Sequence, residues 1–287
     1  MIVLKIQGGL GNQLFQYAAG RAISIANNVE LVLDLSWFDN QIRINTKRSY
    51  ELDAYKISCR VAQGDELFWC RIHQNRMLSR LSFLHGKWKH IKDKNQVFDN
   101  RCFSNSSDLY LDGYWQSYRY FNQVSDLLRE ELTPRVHSSL TDSALIEIIA
   151  DPNSVSVHIR RGDYVTNPRA ANFHGLCSAE YYEMAMSCIE NVISSPHYFV
   201  FSDDIEWAKE NIRFKSKVTF VESEEARNSV EDLKLMSMCK HNIIANSSFS
   251  WWGACLNRNP GKLVIAPKKW FVNQPADSLI PSSWVVL

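Results

Sequence analysis

The sequence predicts an α/β fold built from two zones in which β-strands alternate with α-helices. One observation is a strand, a glycine turn and a helix within residues 2–26. Another is a stricter alternation of apolar strands and helices from residue 151 to the C-terminus. Strands that alternate with helices at this spacing form parallel sheets covered on both faces. The 287 residues are enough for two such domains, 1–150 and 151–287.

The N-terminal zone opens with a βαβ unit. Residues 2–6 form an apolar strand-like run, and residues 13–26 carry apolar side chains at helical spacing. Residues 29–35 are the next predicted strand. The pattern is less regular after this point, and the features predicted there are an aromatic cluster at 110–121 and a helix at 122–132.

The second zone alternates more regularly. Ser178 and the run from Ser229 to Asp232 are typical of helix caps. Ligands of parallel sheets bind beyond the carboxyl ends of the strands, so the residues that follow each strand are the candidate ligand contacts. The predicted strands are 154–159, 198–202, 217–221, 242–246 and 262–266, with helices at 178–194 and 204–212, from 229, and from about 248.

The composition argues against several classes of protein. A formal net charge of +1, with 22% charged residues, gives no bulk basic charge for nucleic acid. The seven cysteines are scattered without a C-x-x-C, which favours reduced thiols in the cytoplasm over a disulfide framework or a zinc site. No run approaches the roughly 18 apolar residues of a membrane span, and no signal-peptide pattern is present.

Positive charge follows the strand at 154–159 directly. Arg160 and Arg161 offer guanidinium donors that suit phosphate oxygens, and two at one strand end indicate a diphosphate. The alternative is that one arginine pairs with Asp163 and only holds the loop. His158 alternates with apolar neighbours, so it faces either a ligand or the core.

A second indication of an anion site lies in NSSFSWWGA. Asn246, Ser247 and Ser248 stand at a predicted strand-to-helix turn, where backbone N–H groups and the helix dipole favour an anion. The alternative is a plain helix cap by one of the serines. The tryptophan pair that follows is predicted to pack in the core rather than to stack on a sugar.

The N-terminal glycine turn leaves a rival function open. Gly9 and Gly11 match part of a dinucleotide fingerprint, and Asp34 lies where a ribose-binding acid of a nicotinamide-dependent dehydrogenase would lie. The third glycine of that fingerprint is missing, and there is no P-loop. The glycines also let a backbone approach a ligand closely, with Asn12 at the tip of the turn.

Four motifs in order make the chain resemble the bacterial α-1,2-fucosyltransferases of glycosyltransferase family 11. They are GGLGNQLFQYA, HIRRGDY, FSDD and NSSFSWWGA, and GYWQS at 113–117 is also in place. The resemblance covers nearly the whole chain. It implies a GT-B-like architecture of two Rossmann-like domains facing across a cleft, the first mainly on the acceptor side and the second binding GDP-fucose.

The family pattern also implies roles for single residues. Arg160 and His158 would contact the β-phosphate of GDP-fucose, and Asp232 the nucleoside. The other implied donor contacts are Gly11 and Asn12 from the first domain and Ser202, Asp203, Ser247 and Ser248 from the second. Asp203-Asp204 lacks the Asp-x-Asp spacing of metal-dependent glycosyltransferases and is expected to cap a helix. The sequence therefore predicts neither a metal nor a cofactor.

The implied reaction is a single displacement that inverts the anomeric carbon and forms an α-linkage on the 2-hydroxyl of a terminal β-galactoside, in O-antigen or surface-glycan synthesis. Arg160 would stabilise charge on the leaving diphosphate. The α-1,6 relatives carry a glutamate after the motif aspartate that this chain lacks, so Asp163 and His174 are both candidate bases. Another donor or linkage, and a non-catalytic glycan-binding protein, remain as alternatives.

Residues 71–94 are locally basic. This stretch is either a solvated helical face or a contact with anionic lipid, where a lipid-linked acceptor would be presented. The sequence thus predicts a cytoplasmic protein, with peripheral contact to the inner face of the plasma membrane as an open alternative. Its basic residues are Arg71, Arg76, Arg80, Lys87, Lys89, Lys92 and Lys94.

Overall fold

The chain divides into two compact units, Met1–Arg135 and Val136–Leu287. Each unit contains one parallel sheet with helices, which confirms the predicted α/β class. No helix in the described ranges is long and apolar enough to cross a membrane. The computed structural model describes residues 1–41, 46–64, 66–68, 88–93, 97–103, 108–135, 143–221, 228–273 and 278–287.

The first unit is built on a five-stranded sheet. Its strands are β1 (Ile2–Lys5), β2 (Leu31–Asp34), β3 (Arg60–Val61), β4 (Trp88–Lys92) and β5 (Asp108–Asp112), and its helices are α1 (Leu10–Ala26), α2 (Ser36–Asp39) and α3 (Ser125–Glu131). The spatial order is β3-β2-β1-β5-β4, with every pairing parallel. The apolar β1 therefore lies at the centre, where it is almost completely buried.

Two features of this unit differ from the sequence prediction. Helix α1 begins at Leu10 rather than at residue 13, because the extended backbone of Gly9 provides the N-cap and its carbonyl accepts from Asn12 N at 2.9 Å. The aromatic cluster at 110–121 begins inside β5, which pairs directly with β1. Because consecutive β5 residues are buried on both faces, the strand lacks the alternation that sequence reasoning requires.

The second unit is built on a six-stranded sheet. Its strands are β6 (Ser154–Ile159), β7 (His197–Ser202), β8 (Lys217–Phe220), β9 (His241–Ile243), β10 (Val264–Ala266) and β11 (Val285–Val286). The order is β11-β10-β9-β6-β7-β8, again with every pairing parallel. The carboxyl ends of β9, β6 and β7 therefore meet at one edge, with β6 in the middle.

Helices of the second unit begin at local capping signals. The helices are α4 (Ser143–Ala150), α5 (Gly162–Thr166), α6 (Pro168–His174), α7 (Ala179–Glu190), α8 (Ile205–Asn211), α9 (Ser229–Met238) and α10 (Ser248–Leu256). Ser178 caps α7 and Asp204 caps α8, as the sequence predicts. The prediction for α9 was wrong by one residue, because Asn228 forms the capping box with Glu231.

Helix α4 lies with the second unit, whereas the sequence boundary at 150/151 placed it with the first. Ile148 of α4 is fully buried in a cluster with Phe199 of β7 and Leu235 of α9. This packing attaches α4 to the second sheet, so the compact division comes after Arg135.

Candidate active site

Arg160 and Asp203 form an ion pair at the edge where β6 and β7 end. Arg160 directly follows β6, and Asp203 directly follows β7. Because the two strands are parallel neighbours, the Arg160 Nη1 atom lies 2.7 Å from Asp203 Oδ2. In the sequence-based alternative the partner is Asp163, whose side chain lies outside the described part of the structure; the carboxylate that the structure shows beside Arg160 is Asp203.

Arg161 is engaged in structural contacts. Its Nε atom lies 3.1 Å from Asp204 Oδ2, its guanidinium carbon lies 3.9 Å from the ring centroid of Trp207, and its backbone N–H donates to Asp203 Oδ1 at 2.8 Å. This supports the alternative in which one of the two arginines only holds the loop. Of the two guanidinium groups, Arg160 is then the better candidate for a ligand.

His158 is a buried histidine with an unsatisfied ring nitrogen. It is 6% exposed, and its Nδ1 has no hydrogen-bond partner among the described residues. Its ring lies 5.5 Å from that of Phe249 in the first turn of α10. Burial lowers the pKa of His158 to about 4, although the nearby carboxylate of Asp203 partly opposes this and Arg160 adds to it. At neutral pH the imidazole is uncharged and retains a nitrogen for a further hydrogen bond.

The start of α10 lies at the same edge. Ser247 is the N-cap residue and is buried, but its side chain makes no capping hydrogen bond, and Ser248 is half-buried. The first turn of α10 contains no acidic residue, so its N–H groups are compatible with an anion. Trp251 and Trp252 are almost fully buried, which confirms that the pair packs in the core.

Asn246 is a structural residue in this turn. Its Nδ2 donates to the carbonyl oxygen of His174 at 2.7 Å, and its carbonyl accepts from the hydroxyl of Tyr164 at 3.4 Å. These bonds tie the end of β9 to α5 and α6. The sequence groups Asn246 with the two serines as an anion contact, whereas the structure gives its side-chain amide a structural hydrogen bond to the end of α6.

The other predicted donor contacts in the second unit lie on separate elements. Ser202 ends β7, and its Oγ accepts from Asp204 N at 2.9 Å, so it takes part in the turn that begins α8. Asp232 lies in the first turn of α9 and is half-buried. The structure thus brings His158, Arg160 and Asp203 together.

The structure describes the side chain of one candidate base, His174, but not that of the other, Asp163. Asp163 lies within α5, but its side chain is outside the described part of the structure. His174 ends α6 in an aromatic cluster, where its ring stacks on Tyr164 at 4.6 Å and an interplanar angle of 4°. The Phe173 and Phe271 rings pack against it at 4.7 and 6.0 Å. Aromatic packing therefore accounts for much of the environment of His174.

The glycine turn of the first unit presents Asn12 with a fixed orientation. Gly8 adopts a φ of +82°, which favours glycine. Asn12, in the first turn of α1, accepts a hydrogen bond from Gln116 Nε2 at 2.7 Å through its Oδ1 atom. Gln116 belongs to the GYWQS motif, but sequence reasoning gave it no role because nothing local links it to Asn12.

Asp34 does not have the geometry expected of a ribose-binding acid. Its carboxylate is 1% exposed, accepts from Ser36 N at 2.9 Å and accepts from the Tyr110 hydroxyl at 2.7 Å. Both carboxylate oxygens of Asp34 thus accept hydrogen bonds from within the first unit. This removes one of the two observations behind the dehydrogenase alternative, and the incomplete glycine fingerprint is the other.

Comparison with known sequences places the chain in a family. The family described as "Glycosyl transferase family 11" matches residues 1–285. An Escherichia coli alpha-1,2-colitosyltransferase is 36% identical, over 99% of this chain and 98% of that protein. The E. coli O-antigen biosynthesis glycosyltransferase WbnK is 35% identical over 98% and 99%. The Mus musculus galactoside 2-alpha-L-fucosyltransferase Sec1 is 23% identical, over 89% of this chain and 64% of that protein.

Comparison with solved structures supports the fold. An Arabidopsis thaliana FUT1 mutant in complex with GDP superimposes with a TM-score of 0.53, covering 99% of this chain and 75% of that one. The two sequences are 10% identical, so the likeness concerns the fold. Together with the two parallel sheets, it agrees with the GT-B-like class of two Rossmann-like domains.

Proposed function

Because the chain belongs to glycosyl transferase family 11, we propose that it transfers L-fucose from GDP-β-L-fucose to the 2-hydroxyl of a terminal β-galactoside. The observation that carries the proposal is that the Arg160 guanidinium, held by Asp203, lies near enough to the buried imidazole of His158 to influence its charge, and that His158 Nδ1 has no partner among the described residues. His158 is the second-last residue of β6 and Arg160 follows the strand directly, at the sheet edge where ligands of such folds bind. The sequence motifs and the name of the mouse relative support fucose and galactoside.

In the proposed mechanism, Arg160 stabilises the leaving diphosphate. The bond between the anomeric carbon and the β-phosphate oxygen breaks, and its electron pair stays on GDP. A guanidinium keeps its charge at every relevant pH and matches phosphate geometry. The uncharged imidazole of His158 adds a hydrogen bond, and the N–H groups of the α10 first turn, beside Ser247 and Ser248, add partial positive charge.

The acceptor hydroxyl attacks the opposite face of the sugar, so the anomeric configuration inverts from β to α. Its proton leaves late if the transition state is largely dissociative, which lowers the demand on a base. Asp163 and His174 remain the proposed candidates for that base. We further propose that Asp203 acts by orienting Arg160 rather than by touching the nucleotide, since both its oxygens already hold the arginine pair.

GDP-colitose is a second candidate donor. The observation that favours it is the name of the 36% identical relative, an alpha-1,2-colitosyltransferase. Colitose is fucose without the 3-hydroxyl, so the two donors share the GDP and the reacting carbon. Parallel assays with both donors and one β-galactoside acceptor decide between them, because a site built around the 3-hydroxyl discriminates strongly against a donor that lacks it.

A thermal-shift panel in excess EDTA is the primary test. GDP at about 100 times its Kd adds roughly 2.7 kcal/mol of stability, whereas UDP and NAD are expected to add little. The folded Arg160→Ala variant is expected to lose the GDP effect. Stabilisation by NAD without GDP would refute the proposal. A dependence of GDP binding on added Mg²⁺ would refute the metal-independent mechanism alone.

Transfer itself is then followed by NMR of the product. The expected result is an α-anomeric signal of the transferred fucose that correlates with the 2-carbon of the galactoside. GDP binding without turnover would favour the non-catalytic alternative. The name of WbnK supports O-antigen synthesis as the setting, and a lipid-linked oligosaccharide acceptor stays a prediction. The cytoplasmic location and the membrane contact of residues 71–94 stay predictions, and that stretch lies largely outside the described residues.

A further inference from the structure

We infer that Tyr114 is the residue on which the galactose ring of the acceptor stacks, with Asp112 and Lys5 beside it as polar contacts for sugar hydroxyls. The inference rests on the proposed function for the identity of the sugar. Every residue that it names lies in the first unit. Neither the motif resemblance nor the name of any relative assigns a role to these three side chains.

Tyr114 is an aromatic side chain presented to solvent just beyond the first sheet. It follows the end of β5 by two positions and is 37% exposed. Partial burial, and then the nearby carboxylate of Asp112, raise the pKa of the Tyr114 hydroxyl. The ring therefore lies close to a charged group. An exposed ring beside polar groups suits a sugar, which has an apolar C–H face and a rim of hydroxyls.

The backbone that carries Tyr114 is strained. The next residue, Trp115, is fully buried and has a φ of +56°. A bulky residue in the left-handed region persists only where its surroundings enforce it, and such residues cluster at ligand sites. Asp93 Oδ2 accepts from Trp115 N at 2.9 Å, and the Trp115 ring meets that of Tyr120 edge-on at 5.5 Å. On the other side, Gly113 packs so closely on Asp93 that a Cβ there would overlap the Asp93 Cβ. The turn is thus fixed on both sides of Tyr114.

The charged neighbours of Tyr114 lie at the sheet edge where ligands bind parallel sheets. Asp112 is the last residue of β5 and Lys5 the last residue of β1, and the two strands are parallel neighbours. Lys5 Nζ lies 3.2 Å from Asp112 Oδ1, and both side chains are about a quarter exposed, at 26% and 21%. The carboxylate can accept from sugar hydroxyls, and the ammonium can donate to them.

The stereochemistry of β-galactose fits a ring stacked in this way. Its axial 4-hydroxyl leaves the hydrogens of C3, C4 and C5 as an apolar patch on the opposite face, which is the face that packs on an aromatic ring. The 2-hydroxyl is equatorial and lies on the rim. Stacking therefore leaves uncovered the hydroxyl that the proposed reaction fucosylates.

The experiment measures the KM and kcat for lactose, a soluble β-galactoside, and the Kd of GDP in wild type, Tyr114→Phe and Tyr114→Leu. We expect Tyr114→Leu to raise the KM for lactose about two- to tenfold, the scale of one aromatic contact, with kcat and the Kd of GDP unchanged. Tyr114→Phe keeps the ring and should stay close to wild type. Phe68→Leu is the matched control, because Phe68 is a 56% exposed aromatic in the segment that follows the edge strand β3.

Saturation-transfer NMR of lactose tests the contact without turnover. In the wild type, the hydrogens on C3, C4 and C5 of galactose should receive the largest saturation, and Tyr114→Leu should lose this pattern. If Tyr114→Leu does not fold, Tyr114→Met, which also lacks the ring, is judged by the same criteria.

The outcomes separate the inference from the proposed function. A wild-type KM for lactose in Tyr114→Leu, or a Kd of GDP that rises in parallel, overturns the inference and leaves the proposed function standing. Lactose binding without transfer by the wild type overturns the proposed function, and the saturation pattern then decides the inference. Absence of both transfer to lactose and lactose binding by the wild type overturns both.

Discussion

Gly162 is the position where one added methyl group should disturb the candidate site most. A Cβ on Gly162 would lie 2.5 Å from Asp203 Oδ2 and 3.1 Å from Asp203 Cγ, closer than real Cβ contacts allow. Asp203 would have to shift, and with it the 2.7 Å pairing with Arg160 and the 2.8 Å bond from Arg161 N. Gly162→Ala is therefore expected to disorganise the Arg160 guanidinium.

The magnitude follows from the bonds that weaken. Hydrogen bonds to charged groups contribute about 1.5–3 kcal/mol each, and solvent reduces this here because Arg160 and Asp203 are 24% and 26% exposed. The higher helix propensity of alanine than of glycine offsets at most about 1 kcal/mol of this loss at the start of α5. The net expectation is a loss of about 1–2 kcal/mol of stability, or a few degrees in Tm. GDP affinity should fall roughly tenfold, as for the loss of one charge-assisted bond.

The assay pairs urea unfolding with calorimetric titration of GDP. Gly261→Ala is the matched control in the same unit, because a Cβ there meets nothing within 4 Å. The control should leave both measurements unchanged. Gly162→Ala with wild-type stability and wild-type GDP affinity would refute the reasoning, because it would mean that Asp203 can shift without consequence for Arg160.

Three further predictions concern single side chains. The pKa of His158 falls on folding from its ordinary value near 6.5 to about 4, so its contribution to stability is present above pH 6.5 and is lost as the pH falls toward 4. The urea midpoint of the His158→Gln variant should therefore depend less on pH between 6.5 and 4 than that of the wild type. An identical pH dependence in the two proteins would contradict the assignment. Arg160→Ala should abolish stabilisation by GDP and, through the lost pairing with Asp203, lower the Tm by a few degrees. Arg161→Ala should also lower the Tm but keep the GDP affinity, and loss of GDP binding in Arg161→Ala alone would exchange their roles. Asn228→Ala should cost about 1 kcal/mol in urea unfolding and Ser229→Ala less, since Asn228 is the cap; equal losses would argue against the capping box.

Several elements were predictable because their signals are local. The strand Ser154–Ile159, the Ser178 cap of α7 and the start of α10 depend on residues within a few positions of one another. The same holds for the motifs that indicated the family and for the cation at the end of β6. β5 was not predicted because a strand buried on both faces has no alternation of apolar and polar residues. Burial on both faces is a property of the assembled sheet.

The sequence by itself determined the α/β class, the family and the segments that carry the candidate site. The tertiary structure decided which side chains contact one another: Asp203 pairs with Arg160, and Gln116 with Asn12, 104 positions away along the chain. The physical reason is that a parallel sheet joins the ends of strands that are distant in sequence. Helices and strands are predicted from neighbouring residues, whereas side-chain hydrogen-bond partners depend on the order of the strands in the sheet.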